Sequence, residues 1–139
     1  MSTMTDLHNN ITPSVAIEPQ ALSGTTDVVG SIIDTKGYSA CEFVLITDAI
    51  AVGSLDAQLL IEEGDASNLS DAAAVSDTFL IGTELLTAIS ETSDKVAKRI
   101  GLRITKRYAR ATLTVTANDG TDIVAAICIL GGNRYLPES

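Results

Sequence analysis

A chain of 139 residues that is 45% hydrophobic, 4% aromatic and free of tryptophan has room for one domain with a core of Val, Ile, Leu and Ala, and few rings on which bases or sugars could stack. Its formal charge of −9 at pH 7 and pI near 4.3 disfavour nucleic acid, because an acidic surface repels a phosphate backbone. No apolar run reaches the roughly 18 residues of a membrane span, and the start lacks the basic-then-apolar order of a secretory signal. The expectation is a soluble protein made in the cytoplasm, with no membrane partner.

Residues 1–14 have no hydrophobic period and many Thr, Asn and Ser residues, which reads as an extended arm. Residues 15–22 predict a strand that Pro19 confines to a sheet edge or a bulge, since proline cannot donate to the ladder. Residues 28–33 predict a second short strand, and Thr35-Lys36-Gly37-Tyr38 a turn with Gly37 at positive φ. ACEFVLIT over residues 40–47 is apolar enough for the centre of a sheet. Over residues 55–62, Leu55, Ala57, Leu59 and Ile61 alternate with Asp56, Gln58, Leu60 and Glu62, the pattern of a strand with one wet face.

Residues 62–75 form the longest polar interruption, where Asn68, Ser70 or Asp71 is placed to cap a short helical turn through residues 72–74. Glu62, Glu63, Asp65 and Asp71 could offer oxygens to a hard cation, but their spacing matches no EF-hand loop. A solvent-facing acidic loop is the favoured reading, and neither a metal nor a cofactor is expected. Residues 79–81 and 85–89 predict two short strands around Gly82.

Residues 95–115 hold seven of the nine basic residues. Their second half alternates Tyr108, Arg110, Thr112 and Thr114 with Ala109, Ala111, Leu113 and Val115, a half-buried strand. Asn118-Asp119-Gly120 supplies turn chemistry, and IVAAICIL over residues 123–130 reads as a fully buried strand. The two together predict a hairpin with a basic face on its first strand and its second strand in the core. Phe43, Leu45, Leu59, Ile61, Leu113, Val115, Ile127 and Ile129 are the predicted core.

Charge is divided along the chain: residues 1–94 carry fifteen acids and one base, residues 95–139 eight bases and three acids. Basic side chains that pair with acids on neighbouring strands would contribute roughly 0.2–1 kcal/mol each. Alternatively the basic face meets an acidic face on another protein, with Arg103, Lys106, Arg107 and Arg110 as the contact residues. Catalytic chemistry finds little to work with. His8 is the only histidine and falls in the arm, and Cys41 and Cys128 lie 87 positions apart, which favours two buried free thiols over a disulfide. No catalytic residue is assigned, and an enzyme is not expected.

About eight short strands at regular spacing predict an all-β fold, an antiparallel β-sandwich of jelly-roll type. It would comprise an arm over residues 1–14, a single sandwich domain over 15–136 and a tail over 137–139. Within it, EFVLIT (residues 42–47), LIEEGD and LSDAAAVSD (within 60–77), GTE (82–84) and KRIGLRITKRYARATLTVT (98–116) together resemble a family of small structural proteins of tailed bacteriophages, encoded beside the major capsid protein. The similarity covers roughly residues 38–132. The resemblance implies a virion component on the capsid surface, a decoration or cement protein bound to the major capsid protein and to itself as a homotrimer or other homo-oligomer. It carries no catalytic residues over. A head-tail joining or tail component is the alternative among virion parts. A carbohydrate-binding β-sandwich is the alternative outside them, and the lack of tryptophan stands against it.

Overall fold

Alternation with period two gives a strand one apolar side, and two strands patterned this way hide those sides by facing each other across a core. A computed structural model of the chain, which describes residues 6–50 and 53–132, is built this way throughout. Its strands are β1 (Ile11–Ala21), β2 (Val28–Val29), β3 (Ile33–Asp34), β4 (Ala40–Thr47), β5 (Leu55–Gly64), β6 (Ala73–Ala74), β7 (Leu80–Ile81), β8 (Ile89–Ser90), β9 (Ala97–Leu102), β10 (Tyr108–Asn118) and β11 (Ile123–Gly131). They make two antiparallel sheets packed as a β-sandwich. Sheet A has the order β1-β11-β4-β9-β7, and sheet B the order β2-β10-β5-β6, with β3 also on β10 and β8 also on β5.

The alternating strands take the phases their patterns require. Leu55, Ala57, Leu59 and Ile61 of β5 and Ala109, Ala111, Leu113 and Val115 of β10 are all buried, and the two strands pair with Leu113 opposite Leu59. Strand β4 lies at the centre of sheet A and buries Cys41, Phe43 and Leu45. Strand β1 is an edge strand whose register with β11 shifts on either side of Ile17, close to Pro19. The turn at 35–38 forms with Gly37 at φ 90° and the Tyr38 N–H donating to the Thr35 carbonyl at 3.0 Å.

Several expectations need correction. Strands β10 and β11 are not a hairpin: β10 pairs with β5, β2 and β3, and β11 with β1 and β4, in the opposite sheet. Both strands are apolar on the sides they turn toward the core, so they meet through side chains across the sandwich. The Asp119 carboxylate, which accepts the Ser54 N–H at 2.7 Å, ties the connection to the start of β5. Second, β11 is not buried on both faces. Val124, Ala126, Cys128 and Leu130 enter the core, while Ile127 and Ile129 point outward and are only partly covered. A run that is apolar at every position carries no phase, and pairing with β4 sets it.

Third, residues 84–87 form a 3-10 turn and not a strand. This turn serves β5 with side chains: Thr87 Oγ1 accepts the Leu59 N–H at 2.9 Å and Glu84 Oε1 accepts the Ile61 N–H at 3.0 Å. Fourth, residues 72–74 hold no helical turn. Ala73 and Ala74 pair with Glu63 and Glu62, and Asp71 instead accepts the N–H groups of Asp65 and Ala66 at 2.9 and 3.2 Å. The strand predicted over 28–33 is split by Gly30 into β2 and β3. Strand β1 begins at Ile11, four residues inside the stretch read as an arm, because residues 11–14 find ladder partners in 128–131. Residues 1–5 of that stretch and the tail over 137–139 lie outside the described residues.

Cys41 and Cys128 are buried free thiols with their sulfurs 3.4 Å apart. In the ladder Cys41 faces Leu130 and Cys128 faces Phe43, so the cysteines are diagonal neighbours, at a Cα spacing of about 7–8 Å that exceeds ordinary disulfide reach. The hydrogen bond to the Cys128 thiol, reinforced by burial, pushes the Cys41 thiol far above its usual value and keeps it protonated.

Leu113, at 0% exposure, and the outward Ile127 give opposite expectations for truncation. Leu113→Ala should cost about 2–5 kcal/mol and Ile127→Ala about 1 kcal/mol, read as the shift in urea midpoint of the full chain.

Candidate interaction surface

The four basic residues proposed for contact do not share one situation. Arg110 lies directly opposite Glu62 in the β10–β5 ladder, and its Nη2 donates to Glu62 Oε1 at 3.1 Å, with side chains 20% and 19% exposed. Thr112 Oγ1 donates to the same oxygen at 3.3 Å. Arg107 forks onto Asp34, Nε to Oδ1 at 3.0 Å and Nη2 to Oδ2 at 2.9 Å, and lies 5.0 Å from the centre of the Tyr108 ring. Lys106 reaches Asp65 at 3.3 Å. Arg103 is exposed and makes no ion pair among the described residues. Three of the four are therefore engaged with acids of their own chain.

The acidic stretch over 62–75 is the other half of this pairing. Glu62 and Asp65 meet Arg110 and Lys106, Glu63 accepts the Thr105 hydroxyl at 2.8 and 2.9 Å, and Asp71 holds backbone N–H groups. Among the described residues no group of three or more His, Cys, Asp or Glu is placed to hold a metal. His8 is exposed, before the first strand.

Sheet A presents a different surface. Ladder register aligns its outward side chains in rows across the strands: Ile11, Gly131 and Ala40; then Pro13, Ile129, Glu42, Gly101 and Ile81; then Val15, Ile127, Val44 and Arg99; then Ala125, Ile46 and Ala97. Val15, Ile46 and Ile81 are 50%, 40% and 57% exposed. Glu42 and Arg99 are the charged members, and their contact is loose, 3.8 Å with the Arg99 side chain 81% exposed.

At one end of this face a groove of about 630 Å³ opens between Ile11 and Ile81, with Ala40 and Gly131 on its floor and Arg103 at its margin. At Gly101 a Cβ would lie 2.8 Å from that of Ile81 and 3.0 Å from Glu42 Oε1, so glycine lets Ile81 cross the strand. Sequence reasoning placed Arg103 among the contact residues but not the apolar face beside it. The signal was the outward half of IVAAICIL, which was assigned to the core.

If Arg110 serves its own sheet, Arg110→Glu places two carboxylates opposite each other and should lower stability by about 1–2 kcal/mol, whereas Arg103→Glu should stay within about 0.5 kcal/mol; chemical denaturation distinguishes them. A second expectation concerns acid. The Arg107 hydrogen bonds hold the Asp34 carboxyl below its usual value, and the backbone N–H groups of Asp65 and Ala66 do the same for Asp71. A carboxyl depressed by folding stabilises the fold above the unfolded-state value and loses that contribution as pH falls through the folded one. Melting temperature should therefore decline below about pH 4, and Asp34→Asn should flatten the decline slightly, since this exposed pair is screened by solvent.

A comparison with protein-family models and with curated proteins finds no match to this chain.

Proposed function

We propose that this chain is a non-enzymatic structural protein of a tailed-bacteriophage virion, seated on the capsid surface as a decoration or cement protein in contact with the major capsid protein. The resemblance over residues 38–132 suggests the setting. The observation that carries the reading is the outer face of sheet A, where Val15, Ile46 and Ile81 remain exposed on a sheet whose other side is already packed. A two-layer sandwich gains nothing from such residues by itself, and contiguous exposed apolar surface marks a place where another protein docks. Sheet B, with its outward charges paired internally, faces solvent in this arrangement.

Binding of this kind stabilises a shell through contacts that bridge neighbouring subunits. Apolar area gives the adhesion and Arg103, at the margin of the groove, gives orientation by meeting an acid of the partner. Co-expression with a tailed-bacteriophage major capsid protein from the same genome, followed by sedimentation of assembled capsids, tests the proposal. The chain should co-sediment at stoichiometric levels, and Arg103→Glu should weaken binding by about tenfold, or ~1.4 kcal/mol, without unfolding. A chain that stays in the supernatant at saturating concentration would refute the capsid reading.

A further inference from the structure

Gly131 and Gly132, the last described residues, line the groove at the end of sheet A, so the seven residues that follow, NRYLPES over 133–139, begin at its wall. We infer that residues 133–139 lie across the groove of their own chain and close it in the free protein, so that a partner seated there must first displace them. The start of the path is tied down. The Ser39 N–H donates to the Gly131 carbonyl at 3.1 Å and the Ser39 hydroxyl to the Gly132 carbonyl at 3.0 Å, which holds the exit against the residue that precedes β4. At φ 65° Gly132 turns the chain off the line of β11. Ladder register sets what lies ahead: Gly131 faces Ala40, and Arg103 follows Leu102, the partner of Cys41, so Arg103 stands two strand spacings, or about 10 Å, from Gly131. Seven extended residues span about 23 Å, more than enough to cross.

The charges of the segment come in the order in which the groove can meet them. Arg134 comes first, and the first charge on the way from β11 is Glu42 on β4, whose own contact with Arg99 is loose at 3.8 Å. Glu138 comes last, and Arg103 waits beyond β4, exposed and without an ion pair among the described residues. Between these charges Tyr135 and Leu136 supply apolar surface to a groove that offers Ala40, Ile81 and Ile104. Pro137 holds the residue before it extended, as a crossing strand requires. What displaces the segment rests on the capsid reading; that it lies in the groove does not.

The chain has no tryptophan, so Tyr135→Trp in the full chain reports on this segment alone. Its emission should be blue-shifted and several-fold less quenched by acrylamide than in urea, at every protein concentration from about 1 to 100 μM. Arg103→Glu should release it, and Glu138→Arg added to Arg103→Glu should restore it. With Tyr135 kept, trypsin cleavage after Arg134 is the second measure and should be several-fold slower in the wild type than in Arg103→Glu. An indole as accessible in the native chain as in urea, with Arg134 cleavage that Arg103→Glu does not speed, overturns the inference. Protection that appears only at high concentration also overturns it, because the segment then fills the groove of a second copy. Assembled capsids separate this inference from the capsid reading. Release of the tryptophan on adding them supports both, and capsids that bind without releasing it overturn the displacement. A protected tryptophan in a chain that binds no capsid keeps the segment in its groove and refutes the capsid reading alone.

Discussion

One backbone segment holds the two sheets at their common border. The Gly30 N–H donates to the Ala111 carbonyl in sheet B at 3.0 Å, and the next N–H, of Ser31, donates to the Ala16 carbonyl in sheet A at 2.8 Å. A Cβ at Gly30 would overlap both carbonyl oxygens, so any other residue there must push the sheets apart. Just before it, the Asp27 carboxylate accepts the Val115 N–H at 2.9 Å, where the β10 ladder is irregular. With this border closed, five alanines and two cysteines can serve in the core beside a single buried phenylalanine, Phe43. Small side chains allow close approach of the sheets, and close approach recovers the dispersion energy that an aromatic-poor composition gives up.

The consequence is a molecule with two unlike outer surfaces. Sheet B has matched most of its outward charges: Arg110 with Glu62 across the ladder, Arg107 with Asp34 at the β3 end. Such exposed or half-buried pairs are modest stabilisers. Sheet A has done the opposite, with isoleucines and valines in all four of its outward rows and one loose ion pair among them. The inner sides of both sheets are equivalent in kind, so the difference between the outer sides is not required by folding. It is the observation on which the proposed docking role rests.

How far the sequence was legible depends on where it carried phase. Strands β5 and β10 announced their buried sides because polar residues mark nearly every second position, Leu60 excepted, and both were placed correctly. Strand β11 is apolar throughout, so its existence was readable but not which of Ile127 or Cys128 lay inside. Of the basic run only Arg110 lies on β10, with Arg103, Lys106 and Arg107 in the connection from β9, and whether the acids it meets belonged to the same chain depended on long-range register, 48 residues apart for Arg110 and Glu62. The 3-10 turn at 84–87 was misread for a related reason. Leu85 and Leu86 look like strand residues, and only the tertiary demand of the β5 N–H groups explains why Glu84 and Thr87 are turned toward it.

The borders of the sheets carry a last implication. An exposed apolar sheet face invites misassembly if its edge can also recruit strands, since the two together seed cross-β growth. Here β1 carries Pro13 and Pro19 and is irregular around Ile17, β7 at the other border is two residues long, and the free edge of β5 is filled by side-chain acceptors between β8 and β6. Among the described residues no border offers a long regular ladder to an incoming chain. Growth edge to edge, which has no built-in end, thus meets only short or interrupted strands at the described borders.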